Sequence, residues 1–189
     1  MVTGRLGLRC PRFHPSGRGG FFPAPGTALP GVRAARCHAG GVAIGTDEAA
    51  AAERVRRGRD LLEVAELTAR YCRAVDGLAF DRLTDVFEPD AAVSYAWLPL
   101  GEATYRSVGL DGLDTVRSWL RASLTGRSEL RRFVSNAELL AWSPTAAVVG
   151  LAMHERDMRI SGRYTVHAVR VADRWRIRRL DLVEEIHWR

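Results

Sequence analysis

The stretch that decides the fold is YCRAVDGLAFDRLTDVFEPDAAVSY, residues 71–95. It begins in a helical pattern, passes through a short segment with turn character and ends in the strand-like run AAVSY. Asp76 lies one turn after Cys72 on the apolar stripe of that helix, close to its carboxyl end. The stretch therefore predicts a helix followed by a strand, with one carboxylate facing an apolar pocket.

The helix that leads into this stretch is predicted over residues 47–75. Its buried stripe recurs at helical spacing and comprises Leu61, Ala65, Thr68, Cys72 and Val75. Its solvent side is predicted to carry Arg59, Asp60, Glu63, Glu66 and Arg70. After it, we expect a short helix over residues 81–87, which the sequence Glu88-Pro89-Asp90 ends because proline disfavours helical geometry in the residue before it.

The rest of the chain predicts strands and one more helix. A strand is expected over residues 91–98, and Asp111 is expected to cap a helix over residues 109–124. Turn signals at Ser143-Pro144, Ser161-Gly162 and 172–174 separate four further strands, over 130–142, 145–156, 163–172 and 175–188. This order predicts an α+β fold, a cone-shaped curled antiparallel sheet that wraps on the N-terminal helices and encloses a pocket.

The first 46 residues differ in composition from the rest. The net charge of +6 comes from this segment, which contains arginine but no acidic residue and is rich in Gly and Pro. Without apolar periodicity we expect residues 1–46 to be disordered. Their arginines are not clustered, so we expect no nucleic-acid partner. One hypothesis is that an early start codon adds this tail and that the native protein begins near Val42 or later.

Residues 47–189 have the size of one domain. Their longest apolar run, 146–153, is too short to span a bilayer, and the tail lacks a secretory signal. We therefore expect a cytoplasmic protein with no membrane partner. The three cysteines, Cys10, Cys37 and Cys72, lack the spacing of a metal site or a disulfide framework, and we expect no metal and no cofactor.

Several motifs together resemble a known family. They are RYCRAVD (70–76), DRLTDVFEPDAAVSY (81–95), FVSNAEL (133–139) and GRYTVHAVRVADRWRI (162–177). In this order they are similar to the SnoaL-like branch of the nuclear-transport-factor-2-like superfamily, over nearly all of residues 58–180. The resemblance implies the fold. It does not imply one reaction, because that superfamily includes dehydratases, isomerases, polyketide cyclases and dioxygenase β subunits.

Asp76 and Tyr95 are the first two candidate catalytic residues. A buried carboxylate at a helix end is suited to proton transfer, and the resemblance implies a catalytic Asp at this position in dehydratases. The alternative is that Asp76 only caps the turn at Gly77. For Tyr95 the resemblance implies a strand tyrosine that orients a substrate carbonyl through water; the alternative is ordinary packing.

Arg132 departs from the pattern that the resemblance implies. Catalytic members carry a histidine at the matching position, whereas arginine stays protonated and cannot act as a general base. We expect Arg132 to pair with Asp76 and to contribute to binding an anion or a carbonyl group. His154, which strand alternation places with Ala152, is the third candidate catalytic residue and the one that could restore an acid–base pair.

Three further residues are candidate ligand-binding residues: Asn136, Tyr164 and Arg170. Asn136 either orients a ligand or stabilises a bulge, and the resemblance implies a pocket arginine at the position of Arg170.

Two function classes remain open. The first is a cofactor-independent lyase or isomerase, of dehydratase or cyclase type, acting on a carbonyl or polyketide-like metabolite. The second is a noncatalytic binding or structural subunit domain that resembles a dioxygenase β subunit. In both cases the partner is a small molecule. We also expect a homodimer formed through the outer face of the sheet, where Phe133, Leu139, Val169 and Val171 alternate.

Overall fold

The computed structural model describes residues 44–126, 130–156 and 160–186. The predicted disordered segment 1–46 therefore lies almost entirely outside the described residues, and so does His187 at the predicted end of the last strand.

Helix α1, Ile44–Asp76, is the first element. Its early part, residues 52–59, is exposed throughout. Burial then follows helical spacing, because Val64, Leu67, Tyr71 and Val75 are at most 5% exposed. The predicted helix is confirmed, but the assignment of Asp60 to the solvent side is wrong, since this residue is 3% exposed.

The segment after α1 folds as a 3₁₀ helix, Phe80–Asp85, followed by strand β1, Phe87–Leu98. The strand thus begins four residues before the predicted start, and Pro89 lies inside it rather than ending a helix. The pairing of β1 with the last strand shifts register between Phe87 and Ala92. An irregularity of this kind accommodates proline, which cannot donate a hydrogen bond to the neighbouring strand.

Strand β2, Arg106–Asp111, pairs antiparallel with β1. No strand is predicted here, and its residues 109–111 are predicted as the start of the following helix, which is wrong. Asp111 consequently belongs to this strand and does not cap the following helix. Helix α2, Leu113–Leu124, begins after Gly112, whose φ of 81° is a conformation that glycine adopts without strain.

The remaining strands are β3, Arg132–Ser143; β4, Ala146–Glu155; β5, Ile160–Val171; and β6, Arg174–Ile186. The turn predicted at Ser161-Gly162 is wrong, because both residues lie in β5. A Cβ atom on Gly162 would lie 2.4 Å from the carbonyl oxygen of Val183 in β6. Glycine is therefore required there by the close approach of two strands and not by a turn.

The six strands form one open sheet in the order β2-β1-β6-β5-β4-β3. The pairings β2–β1, β6–β5, β5–β4 and β4–β3 are antiparallel, as predicted, whereas β1 and β6 run parallel. The α+β class is confirmed, and the sheet is mixed because the first and last strands of the chain lie side by side in its centre.

One face of the sheet packs against the helices and forms the core. On β4 and β5 the fully or almost fully buried side chains alternate with more exposed ones and comprise Val149, Leu151, Met153, Tyr164 and Val166. The opposite face exposes Phe133, at 59%, and Leu140, at 50%. Leu139 was predicted on that outer face, but it packs against the core because β3 bulges on both sides of it.

Among the described helices, none combines the length and the apolar character needed to cross a bilayer.

Candidate functional site

Among the described residues, Arg132 is the one that donates hydrogen bonds to the carboxylate of Asp76. The backbone N–H of Arg132 donates to Asp76 Oδ2 at 2.8 Å, and its Nη1 donates to Oδ1, also at 2.8 Å. The side chain of Asp76 is 17% exposed, and that of Arg132 is 7% exposed. This confirms the predicted contact between the end of α1 and the strand after residue 130. Each oxygen of Asp76 thus accepts one hydrogen bond from Arg132.

Arg132 is a permanent cation in this position. Burial alone would lower the pKa of its guanidinium, but Tyr164, Tyr71, Glu184 and Asp76 around it outweigh burial, and the pKa is raised. Of these neighbours, the carboxylates of Glu184 and Asp76 provide the physical cause, because the tyrosines remain neutral. The guanidinium Nε is buried and has no acceptor among the described residues.

A second carboxylate, Glu184, accepts a hydrogen bond from the hydroxyl of Tyr95. Glu184 is 4% exposed. Burial, and then the adjacent Glu184, raise the pKa of Tyr95 well above its ordinary value, so the phenol keeps its proton. The structure thus places Tyr95 beside an acid that the sequence analysis did not consider.

The alternation of residues in β6 could have indicated from the sequence that Glu184 is buried. Leu180 and Leu182 occupy inward-facing positions of β6, and Glu184 is the next residue in that alternation. A carboxylate on the apolar face of a strand needs a partner, because burying an unpaired charge is costly.

Aromatic residues surround both carboxylates. The rings of Tyr71 and Tyr164 meet edge to face with centroids 5.9 Å apart. The ring centroid of Tyr95 lies 5.6 Å from that of Trp97 and 5.5 Å from that of Trp119. Tyr164 is fully buried in the core, whereas Tyr95, Trp97 and Trp119 are only partly buried. Of the two predicted tyrosines, Tyr95 is therefore the one next to partly exposed aromatic surface.

Cys72 lies on the inner side of this cluster. Its Sγ is 3.9 Å from the hydroxyl of Tyr164. Burial raises the pKa of the Cys72 thiol to about 11, an effect only partly offset by the contact with Tyr164. The thiol is therefore neutral near pH 7 and lines the site as a small apolar group.

Two predicted site residues face away from this cluster. His154 belongs to the set of β4 residues that alternates with the buried Val149, Leu151 and Met153, so its side chain is on the outer face. It cannot restore an acid–base pair with Asp76. Asn136 is exposed, has a φ of 52° and lies where β3 bulges, which supports its alternative interpretation as a bulge residue.

Arg170 reaches the inner face, but its partner lies near the middle of α1. Its Nη2 donates to Asp60 Oδ1 at 2.5 Å, and its guanidinium lies 4.6 Å from the ring centre of Trp175. The indole of Trp142 donates to the other oxygen of Asp60 at 2.9 Å. The predicted ligand-binding residue Arg170 therefore has a carboxylate partner far from Asp76.

An open groove of about 1120 Å³ runs along the exposed side of α1. Its lining includes Leu62, Glu66, Arg70, Arg73 and Trp175. None of the predicted site residues lines it, so it is distinct from the pocket expected on the inner face. Within residues 44–126, 130–156 and 160–186, no group of three or more His, Cys, Asp or Glu side chains could hold a metal ion.

The fold and the site define a class of protein: an α+β domain whose helices cover one face of a six-stranded sheet, with buried polar pairs on that face. A family model described as a SnoaL-like domain matches residues 56–181. The chain belongs to the SnoaL-like family, as the resemblance implied. A comparison with curated proteins found no match.

Solved structures share the fold. One is a candidate scytalone dehydratase from Novosphingobium aromaticivorans DSM 12444, with a TM-score of 0.54 and 22% identity over 67% of this chain and 84% of the other. Another is the β subunit of a candidate aromatic-ring-hydroxylating dioxygenase from the same organism, with a TM-score of 0.57 and 9% identity over 70% and 93%. At these identities the likeness concerns the fold alone.

Proposed function

We propose that this SnoaL-like domain binds a small, largely apolar molecule with an oxygen-bearing group, and that binding takes place beside Tyr95, Arg132 and Glu184. The observation that carries the proposal is the pair of carboxyl groups, Asp76 at the end of α1 and Glu184 on the apolar face of β6, near the same largely buried arginine, Arg132. Buried ionisable groups reduce stability unless they are well paired, and such clusters concentrate at functional sites.

The surroundings suit an aromatic or polycyclic ligand. Trp97 and Trp119 are only partly buried, and the ring centres of both lie within 6 Å of the ring centre of Tyr95. Flat apolar surface with a few polar groups is the usual composition of a small-molecule site. A molecule that stacks on these rings would bring its oxygen to the polar groups.

Binding without chemistry is the primary form of the proposal. Each oxygen of Asp76 accepts a hydrogen bond from Arg132, and Arg132 itself cannot accept a proton. His154, the residue that might have completed a dyad, lies on the outer face. The noncatalytic alternative, a binding or structural subunit domain of the dioxygenase β-subunit type, agrees with this arrangement.

A specific observation favours a second candidate function, a cofactor-independent lyase or isomerase. The buried carboxyl group of Glu184 accepts a hydrogen bond from the phenol of Tyr95. A carboxylate of this kind is suited to general acid–base catalysis on a carbonyl or polyketide-like compound. In this form the base is Glu184 and not the predicted Asp76.

Identification of the bound molecule tests the binding site directly. We expect native mass spectrometry of the purified protein to detect a retained small molecule, and Arg132→Gln to lose it. Arg131→Gln is the matched control, because Arg131 is exposed and its replacement changes the charge equally. Retention of the molecule by a folded Arg132→Gln variant would contradict the proposed site.

Arg132→His separates the two functions. This variant places an imidazole beside Asp76, the acid–base pair that the resemblance implies. If the protein only binds, the variant should gain elimination or isomerisation activity on the identified ligand while the parent has none. Turnover by the parent that Glu184→Gln abolishes would establish the second candidate instead.

Self-association is a separate part of the proposal. The outer face exposes Phe133, Leu140 and Val171, a surface on which a second copy can pack. Light scattering at micromolar concentration should give the mass of a dimer, and Phe133→Asp should give a monomer. Leu100→Asp, at a similarly exposed position after β1, should leave the dimer intact. A monomeric parent protein would contradict this part.

A further inference from the structure

We propose that Glu184 determines which ligands the site accepts: by holding the proton of Tyr95 it makes the phenol oxygen a hydrogen-bond acceptor, so that the site selects an alcohol or phenol over the matching ether or ketone. The inference rests on the proposed function, since it requires a ligand beside Tyr95. It adds the chemical class of the ligand and names the residue that sets it.

Strand geometry brings the two residues together. β1 and β6 are parallel neighbours, and Tyr95 lies opposite Leu182 while Glu184 lies opposite Trp97. Tyr95 and Glu184 are therefore diagonal neighbours on the same inward face. On the other side of β6, the residue opposite Glu184 is Gly162, which has no side chain to compete for this space.

The direction of the hydrogen bond follows from the chemistry of the two groups. A phenol has one proton to donate, and an ionised carboxylate can only accept. Donation to Glu184 therefore uses the single proton of Tyr95 and leaves the lone pairs of its oxygen for another partner. A ligand that approaches this oxygen must supply a hydrogen of its own.

This reverses the role that the sequence predicted for Tyr95. As a polariser of a substrate carbonyl, the phenol would have to donate to the ligand. That direction becomes available only if Glu184 is neutral and donates to Tyr95.

Two naphthalene probes that differ in one hydrogen-bond donor test the inference. 2-Naphthol can donate to Tyr95, whereas 2-methoxynaphthalene can only accept. We expect fluorescence titration of the full-length protein to give an affinity about tenfold higher for 2-naphthol, the factor that one net hydrogen bond provides.

The same titration on Glu184→Gln should bring the two affinities to within about twofold, because the amide of glutamine can either accept from Tyr95 or donate to it. Glu185→Gln is the matched control. Glu185 is the neighbouring exposed residue, it accepts a hydrogen bond from Tyr105 at 3.0 Å, and its replacement should leave the preference at tenfold.

Tyr95→Phe provides a second variant if Glu184→Gln does not fold, and it too should lose the preference. Equal affinities in the parent protein, or a preference retained in either folded variant, would overturn the role of Glu184 while leaving the binding site in place. Failure of both probes to bind the parent would overturn the proposed function, and this inference with it.

Discussion

Helix α1 carries two carboxylates that are each bound by an arginine from the sheet, one buried and one partly buried. Asp60 is 3% exposed and accepts from Arg170 at 2.5 Å. Asp76 follows 16 residues later, about 24 Å further along the helix axis, and accepts from Arg132 at 2.8 Å. The same kind of pair thus occurs at two places on one helix, in different surroundings.

The surroundings distinguish a structural pair from a candidate site. The donors to Asp60 come from three different strands: Trp142 of β3, Arg170 of β5 and Trp175 of β6. They fasten the helix to the sheet. For Asp76, in contrast, Arg132 is the one donor among the described residues, and a second carboxyl group, Glu184, lies near that donor. A buried Asp–Arg pair alone is therefore not a sign of function.

The largest effect is expected from Asp60→Asn. The variant leaves Arg170 without its counter-charge and replaces an acceptor shared by several strands, so we expect a loss of about 3–5 kcal/mol in the free energy of unfolding. Urea denaturation followed by tryptophan fluorescence measures it. Glu63→Gln, an exposed carboxylate one turn later, is the control and should change little. A loss below about 1 kcal/mol for Asp60→Asn would show that the pair does not fasten the helix.

Asp76→Asn should cost less, about 2–3 kcal/mol. The amide oxygen of asparagine can still accept from the backbone N–H of Arg132, and Asp76 is partly exposed, at 17% for its side chain. The same denaturation experiment compares the two variants directly. If Asp76→Asn proved as damaging as Asp60→Asn, the distinction between a structural pair at Asp60 and a candidate ligand site at Asp76 would not hold.

Apolar periodicity predicted much of the fold, because it can be recognised within the short sequence of a single helix or strand. The stripe on α1, the helix α2 and the last four strands all follow from apolar periodicity. The contact between Asp76 and Arg132 was predicted from the resemblance and from charge. β2 was missed because its sequence, RSVGLD, contains glycine and no strong alternation, and its pairing with β1 stabilises it from outside that window.

The errors concern residues whose environment depends on distant partners. Asp60 was placed in solvent because it follows arginine in a charged run, and only the folded chain brings Trp142 and Arg170 to it. His154 was placed in the pocket, since alternation alone does not tell which of two faces is buried. Glu184 was not predicted as a site residue, although it continues the alternation of the buried residues Leu180 and Leu182 in β6.

The Asp76 end should also respond to alkaline pH, with a smaller effect. The pKa of Cys72 is raised by burial from its ordinary value near 9 to about 11. The neutral thiol therefore stabilises the fold fully below pH 9, and this contribution is lost as the pH rises towards 11. We expect a loss of about 1–2 kcal/mol in this range, reduced in Cys72→Ser. An unchanged pH profile in Cys72→Ser would contradict this assignment.

The smallest effect is expected from the exposed ion pairs of α1 that lie between Asp60 and Asp76. Glu66 accepts hydrogen bonds from Arg73 and Arg70, which lower its pKa, but its side chain is 51% exposed. The contribution of the ionised Glu66 to the stability of the fold is present above the ordinary pKa of glutamate and is lost as the pH falls through the lowered pKa. Solvent screening limits it, so Glu66→Gln should cost less than about 0.5 kcal/mol at low salt and nothing measurable in about 1 M salt. A larger, salt-resistant loss would mean that arginine–carboxylate pairs stabilise α1 wherever they occur, and burial would not be what separates Asp60 and Asp76 from the rest of the helix.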